Sequence, residues 1–230
     1  MKVTSQVRPP DRPGRPIAHP ERDSRVLLLN AATALFAEIG VAATSFSTIA
    51  RRAGLTPAMV HYHFRDRDKL IDAVVEERLV PLLHYVWNPV QPGDPPEELL
   101  SGLVTRLLDQ VARAPWLPST WMREILNDDG LLRGRMLQRL PIAKVRIVGE
   151  ALAQGMSGGR VNPDIDPLLT VFSAVGLVML HAATLRIWAD VFERPALDTE
   201  ALRRHITGIL LKGISPLPTL NHEPASSGQA

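Results

Sequence analysis

The chain has 230 residues, 45% of them apolar, and its 26 basic and 24 acidic side chains leave a formal net charge of +2. It contains no cysteine, which excludes disulfides, thiolate nucleophiles and cysteine-based zinc sites and agrees with a cytoplasmic, reducing compartment. Charge is unevenly spread: residues 1–69 hold eleven basic and six acidic side chains, the remainder fifteen and eighteen, so the N-terminal third is the part suited to a polyanion.

Residues 1–20 are rich in Pro and Arg, carry Lys2 and Arg8 but no apolar run, and predict a flexible basic arm rather than a secretion signal. Residues 23–39 predict a helix with Leu28, Ala32, Leu35 and Phe36 inward, ended by Gly40. Ser45 is a helix cap, since its hydroxyl accepts from an orphan N–H of the first turn. Phe46, Ile49, Ala50 and Ala53 then fall on one apolar helix face. Gly54 follows at the position where a helix ends in a left-handed residue. Thr56 is the next cap, with Pro57 at the first helical position, where its missing N–H costs nothing. Val60 and Phe64 anchor this short helix, and Asp66 caps a third that begins at Arg67.

Residues 67–85 predict a connecting helix bent by Pro81. Residues 88–96 hold four prolines and a glycine and predict a loop, with Asp94 capping and Pro95 opening a helix to Arg113. A short helix over 119–126, a turn over 127–130 and a long helix over 131–153, kinked at Pro141, come next. A glycine-rich loop at 155–163 leads to Asp166, which caps a very apolar helix opened by Pro167 and running to Asp190. Asp198 or Thr199 caps the last helix, with Leu202, Ile206, Ile209, Leu210 and Ile214 at helical spacing. Pro216 ends it. The run 168–185 has no charged residue other than histidine and is long enough to span a membrane. Thr170, Ser173, His181 and Thr184 interrupt it, so burial on both sides within a protein is expected instead, and no membrane partner. No stretch alternates like a strand for long.

The run from Thr44 to Leu70 therefore reads as a helix-turn-helix, a motif whose second helix enters the DNA major groove. Arg25, Leu29, Ala31, Ala32, Leu35, Phe36, Gly40, Thr44, Ile49, Ala50, Ala53, Gly54, Leu55, Thr56, Val60, Tyr62, His63, Phe64 and Leu70 together resemble the TetR/AcrR family of transcriptional regulators. The resemblance implies an all-α fold: a three-helix helix-turn-helix head over 21–70, and a larger helical ligand-binding and dimerisation body over 71–215. The arm 1–20 and a disordered tail over 216–230 flank them. It also implies a homodimer on a palindromic operator of double-stranded DNA, released by a small-molecule effector, with repression as the family default.

Carried over residue by residue, Thr44 and Ser45 match phosphate-binding positions, Ser47 a base-reading one and Arg67 a phosphate grip. Thr56, Pro57, Ala58, Met59, His61 and Tyr62 form the outer side of the recognition helix, while His63 and Phe64 pack the head. His61 departs from the tyrosine usual at its place. The arm sequence Arg12-Pro13-Gly14-Arg15-Pro16 resembles an AT-hook, which lays an arginine, here Arg15, in a narrow minor groove; the alternative is a solvated tail. Trp121, Met122, Met136, Phe172 and His181 are candidate ligand-pocket residues, with Trp116 and Trp188 beside them and Arg106 or Arg123 as anion anchors. The last two helices match the family's dimerisation pair, and Ser173, Ala174 and Gly176 permit close helix approach.

Catalysis finds no support. His61 and His63 diverge on a helix and no acidic cluster joins them, so no metal site is expected. Gly155–Gly159 lacks the Lys-Ser/Thr of a phosphate loop, and no serine has a G-x-S-x-G setting. No cofactor is implied. The rival reading is a nonspecific architectural DNA-binding protein, whose mark is a stronger positive balance.

Overall fold

The computed structural model describes residues 20–216, apart from 194, 196 and 197. Arg15 and its arm, and the tail beyond Pro216, lie outside the described residues. Those described form helices and connecting turns, with no strand among them.

Helix α1 (Pro20–Ile39) buries Leu28, Leu29, Ala32, Leu35 and Phe36. Gly40 ends it at φ 86°, with a conformation an L side chain rarely adopts. Helix α2 (Phe46–Ala53) starts where Ser45 Oγ accepts from the Thr48 N–H, 3.1 Å, and stops at Gly54 with φ 69°. Helix α3 (Pro57–Phe64) has Thr56 at its cap position in extended conformation, yet the Thr56 hydroxyl caps nothing. With Pro57 first, there is one fewer orphan N–H for it to satisfy. Helix α4 (Arg67–Val74) is capped by Asp66, whose Oδ1 accepts from the Lys69 N–H at 2.8 Å.

The connector is one continuous rod made of α4, a π-turn (Val75–Leu79) and helix α5 (Val80–Trp87). Proline is accommodated here by widening rather than bending. The Val80 N–H reaches five residues back to the Val75 carbonyl. Pro81 has no N–H for the Glu77 carbonyl four residues back, and Arg78 Nη1 donates to that carbonyl instead, 3.0 Å.

Helix α6 (Pro96–Arg113) is the centre of the body and touches α5, α7, α9, α10 and α11. Its cap position is Pro95 and Asp94 makes no cap bond, so the predicted start moves by one residue. Helix α7 (Leu117–Thr120) runs straight into a second π-turn (Trp121–Ile125). The predicted long helix over 131–153 is two elements, α8 (Arg133–Leu137) and α9 (Ile142–Ser157). Pro141 breaks the chain there rather than kinking it. Its ψ of 67° is not helical, and a proline both lacks the donor and crowds the preceding turn.

Asp166 caps helix α10 (Pro167–Val191) and Asp198 caps helix α11 (Thr199–Ile214), each carboxylate accepting from the N–H three residues on. Helix α10 is long and apolar enough, by length and composition, to cross a membrane. The expected burial on both sides is met on one: Val171, Ala174, Val178 and Met179 are buried, whereas Leu169, Phe172, Leu180, Ile187 and Val191 are exposed. Buried apolar side chains form one cluster running from α1 through α11.

Candidate DNA-reading face and ligand cavity

Val60 and Phe64 point inward from α3 and fix it against the rest of the head. Its opposite edge carries Thr56, Pro57, Ala58, His61 and Tyr62, all exposed, with Ser45 and Ser47 of the α2 start also outward. Tyr62 is 65% exposed. His61 is oriented twice: its ring meets Phe46 edge-on at 4.8 Å, and its Nδ1 lies 3.2 Å from the Arg65 carbonyl. Met59 is half-buried and packs on the core, so it departs from the outer row the sequence assigned it to. Thr44 is 3% exposed and its hydroxyl donates to the Gly40 carbonyl at 2.7 Å; it shapes the turn before α2 and offers little to a phosphate. His63 is held by Ser24, whose Oγ lies 2.9 Å from His63 Nε2.

The junction between α3 and α4 is strained. Arg65 has φ 58° and ψ −60°, and the Asp66 N–H bonds back to the Phe64 carbonyl at 2.6 Å. This is the rare hand of γ-turn, occupied by a residue with a β-carbon. Arg67, expected as a phosphate grip, donates through Nη2 to the Val41 and Ala42 carbonyls. It clamps the α1–α2 turn to α4 while remaining exposed at the surface. Arg52 pairs with Glu38, and that hydrogen bond holds the Glu38 carboxyl below its usual range.

Head and body meet at three sets of charged groups. Arg25 of α1 makes a two-pronged pair with Glu77 of the first π-turn, both contacts 2.5 Å. The hydrogen bond, opposed by partial burial, lowers the Glu77 carboxyl from its ordinary value. Asp68, Asp72 and Glu76 lie along one face of the connector and meet Arg135 and Arg139 beside α8; Arg135 Nε is 2.6 Å from Asp72 and its Nη2 2.9 Å from Asp68. Glu124 is the third joint, and sequence reading did not single it out. It is 5% exposed, and its Oε1 accepts from the Val41 N–H at 2.8 Å and its Oε2 from the Leu131 N–H at 3.2 Å. The turn at Val41 is thus held by the body at its N–H and by α4 at its carbonyl.

A cavity of about 310 Å³ opens inside the body. Its walls come from both π-turns and from α5, α6, α7, α8, α9 and α10, and include Leu79, Leu83, Trp87, Trp121, Met136 and Phe172. It is about twice the ~150 Å³ of an engineered apolar cavity that holds benzene. Its walls are almost wholly apolar; Gln110, Thr120 and Arg133 are the polar side chains among them. Leu126, Leu137, Ile142 and Phe172 line the cavity and are also exposed, so they form an apolar mouth, with Arg133 in an ion pair with Asp128.

Comparison with known proteins bears on the head first. The sequence model described as "Bacterial regulatory proteins, tetR family" matches residues 28–74, the stretch from the core of α1 to the end of α4. The HTH-type transcriptional regulator UidR of Escherichia coli is 21% identical over 187 residues, which is 81% of this chain and 93% of UidR. The head is that of the TetR family of transcriptional regulators. Among solved structures, the ketosteroid transcriptional regulator KstR2 of Mycobacterium tuberculosis superposes with TM-score 0.67 at 22% identity, covering 84% of this chain and 95% of that one. FadR of Bacillus subtilis, solved in complex with stearoyl-CoA, superposes with TM-score 0.61 at 17% identity, covering 83% and 99%. Both likenesses are of fold.

A head of this family, with relatives that are transcriptional regulators, marks a DNA-binding regulator rather than an enzyme. Of the pocket candidates, Trp121, Met136 and Phe172 line the cavity while Met122 and His181 do not. His181 donates through Nδ1 to the Leu177 carbonyl, 2.7 Å, and sits edge-on to His205 of α11. Trp116, Trp188 and Arg123 are also outside the cavity lining, and Arg106 donates to the Val86 carbonyl at 2.6 Å. Arg133 and Gln110 were missed. The signal for Gln110 was a lone amide three residues past Leu107, in line with an apolar helix face.

Proposed function

We propose that the protein is an effector-responsive repressor that binds a palindromic operator as a homodimer in the cytoplasm. The observation that carries the reading is the α3 edge: an exposed row of Thr56, Pro57, Ala58, His61 and Tyr62 on a helix locked from behind by Val60 and Phe64. Ser45 and Ser47 flank it, and Arg67 stands behind the turn. Pro57 and Ala58 offer no paired hydrogen bonds to base edges, so the middle of the helix contributes thymine-methyl contact and part of the specificity comes from DNA shape. In this reading the arm, Arg15 with it, follows the minor groove beside the site. The head spans 21–70 and the body 71–215.

The exposed stripe of α10, with Leu169, Ser173, Gly176, Leu180, Ile187 and Val191 at heptad-like spacing, supports a partner subunit on α10 and α11. A β-carbon on Gly176 would touch nothing within 4 Å, so intrachain packing gives no reason for its small size. A dimer sets two α3 helices roughly 34–36 Å apart, one turn of DNA.

The cavity supports an apolar effector larger than a single benzene ring, with a polar end at the mouth near Arg133. KstR2 is a ketosteroid transcriptional regulator and FadR was solved with stearoyl-CoA, which favours this class. Occupancy of the cavity lowers operator affinity by the effector's preference for the released state.

The test is to incubate the full chain with sheared genomic DNA and excess competitor near physiological salt, then sequence what is retained. A few fragments sharing an inverted repeat are expected. Broad retention that tracks salt alone would replace this reading with the architectural one.

A further inference from the structure

Gln110 lies on the face of α6 that buries Leu100, Leu103, Leu107 and Leu108, and is itself 3% exposed. Its side chain lines the cavity, and among the described residues it makes no side-chain hydrogen bond. The other polar groups there are committed. The Thr120 hydroxyl donates to the Trp116 carbonyl at 3.0 Å, and Arg133 at the mouth is paired with Asp128. An amide offers two donors and an acceptor, and holding it unpaired against an apolar wall is unfavourable. No counter-charge accompanies it inside, so an ionised group at that depth would lose its hydration without compensation.

We propose that the cavity takes an effector whose apolar skeleton carries one neutral oxygen, a keto or hydroxyl group, and that Gln110 selects for it. The inference rests on the cavity being the effector site. Gln110 donates to a keto oxygen or exchanges a hydrogen bond with a hydroxyl. The ionised or bulky end of the molecule stays at the mouth with Arg133. A skeleton lacking the oxygen leaves the amide unpaired and is rejected, the asymmetry by which buried polar groups discriminate.

Full-length protein and Gln110→Leu would be titrated with decanoate and decalin-carboxylate, each beside analogues bearing a keto group at successive positions. Binding is read from the fluorescence of Trp87 and Trp121, which line the cavity. At least one keto isomer should bind the unmodified protein about tenfold tighter than its parent acid, the size of one satisfied buried hydrogen bond. Gln110→Leu should lose that preference and bind the parent acid more tightly. Equal affinities for keto and parent acids in the unmodified protein, or a preference that survives Gln110→Leu, overturn the proposal and leave the cavity as effector site. Failure of every probe to bind overturns both. Should Gln110→Leu not fold, Gln110→Met, unbranched and of similar length, is read in the same way.

Discussion

Replacing Glu124 by alanine should loosen the head from the body without unfolding either. The Val41 N–H is fully buried and has the Glu124 carboxylate as its acceptor. A buried donor left without a partner costs about 1–3 kcal/mol, and a hydrogen bond to a charged group about 1.5–3 kcal/mol. The Leu131 N–H contributes less, because its bond is longer and Leu131 is exposed, so water can take over. Removing a buried carboxylate relieves its own desolvation and offsets part of the loss. The net is about 2 kcal/mol. For a chain of this size that corresponds to roughly 4–8 °C in Tm. Circular dichroism melts check the global figure, and amide exchange at Val41 checks the place: its protection should fall while that of Leu103 in α6 stays high. Glu124→Gln keeps an acceptor for Val41 and should lose at most half as much. A Tm within about 1 °C of the parent, with Val41 protection unchanged, would refute the reasoning.

Three further outcomes are expected. Arg65→Gly should hold stability or raise it by up to about 1 kcal/mol, since the strain at φ 58° is relieved against some loss of chain entropy; Arg65→Val should lower it, and urea midpoints that order the two the other way would sink the γ-turn argument. Gly176→Leu should fold normally, because open space surrounds the site in the single chain, yet shift light-scattering mass from dimer towards monomer; an unchanged dimer would move the interface elsewhere. The Glu77 carboxyl, lowered by Arg25, contributes stability that is present above its unfolded value and lost as pH falls through the lower folded one. Acid melts of Glu77→Gln should therefore fall short of the parent, by no more than about 1 kcal/mol, above about pH 5, with the gap closing progressively as pH falls below the ordinary carboxyl range.

What was legible in the sequence was local. Ser45, Gly54, Pro57 and Asp66 each act within four residues of their own position, and the head was drawn from them correctly. Leu28, Phe36, Val60 and Phe64 followed from helical spacing. The body was harder because its decisive contacts are distant. Glu124 finds Val41 across 83 residues, and no periodicity announces a carboxylate that serves a loop. Both π-turns were missed, since each offsets the apolar pattern by a single residue, and the short helices beside them hold too few apolar positions to reveal that offset. Pro141 was read as a kink because a proline in an amphipathic run permits either outcome; the tertiary setting decided for a break. Aromatic and methionine residues were natural pocket candidates, yet Met122 and His181 belong to other surfaces.

The wide turn before Pro81 sets the phase of the connector. Closing it to ordinary helical pitch would turn everything downstream by about 100° and advance it about 1.5 Å. Leu82, Leu83 and Val86, which wall the cavity, would swing away from it while Arg25 and Glu77 stayed engaged. Proline forbids that closure, and the Arg78 guanidinium satisfies the carbonyl it leaves behind. A single imino acid thereby works as the key that sets two shafts on one axle, and a displacement of the chamber wall is carried as a rigid turn towards the helix that reads DNA.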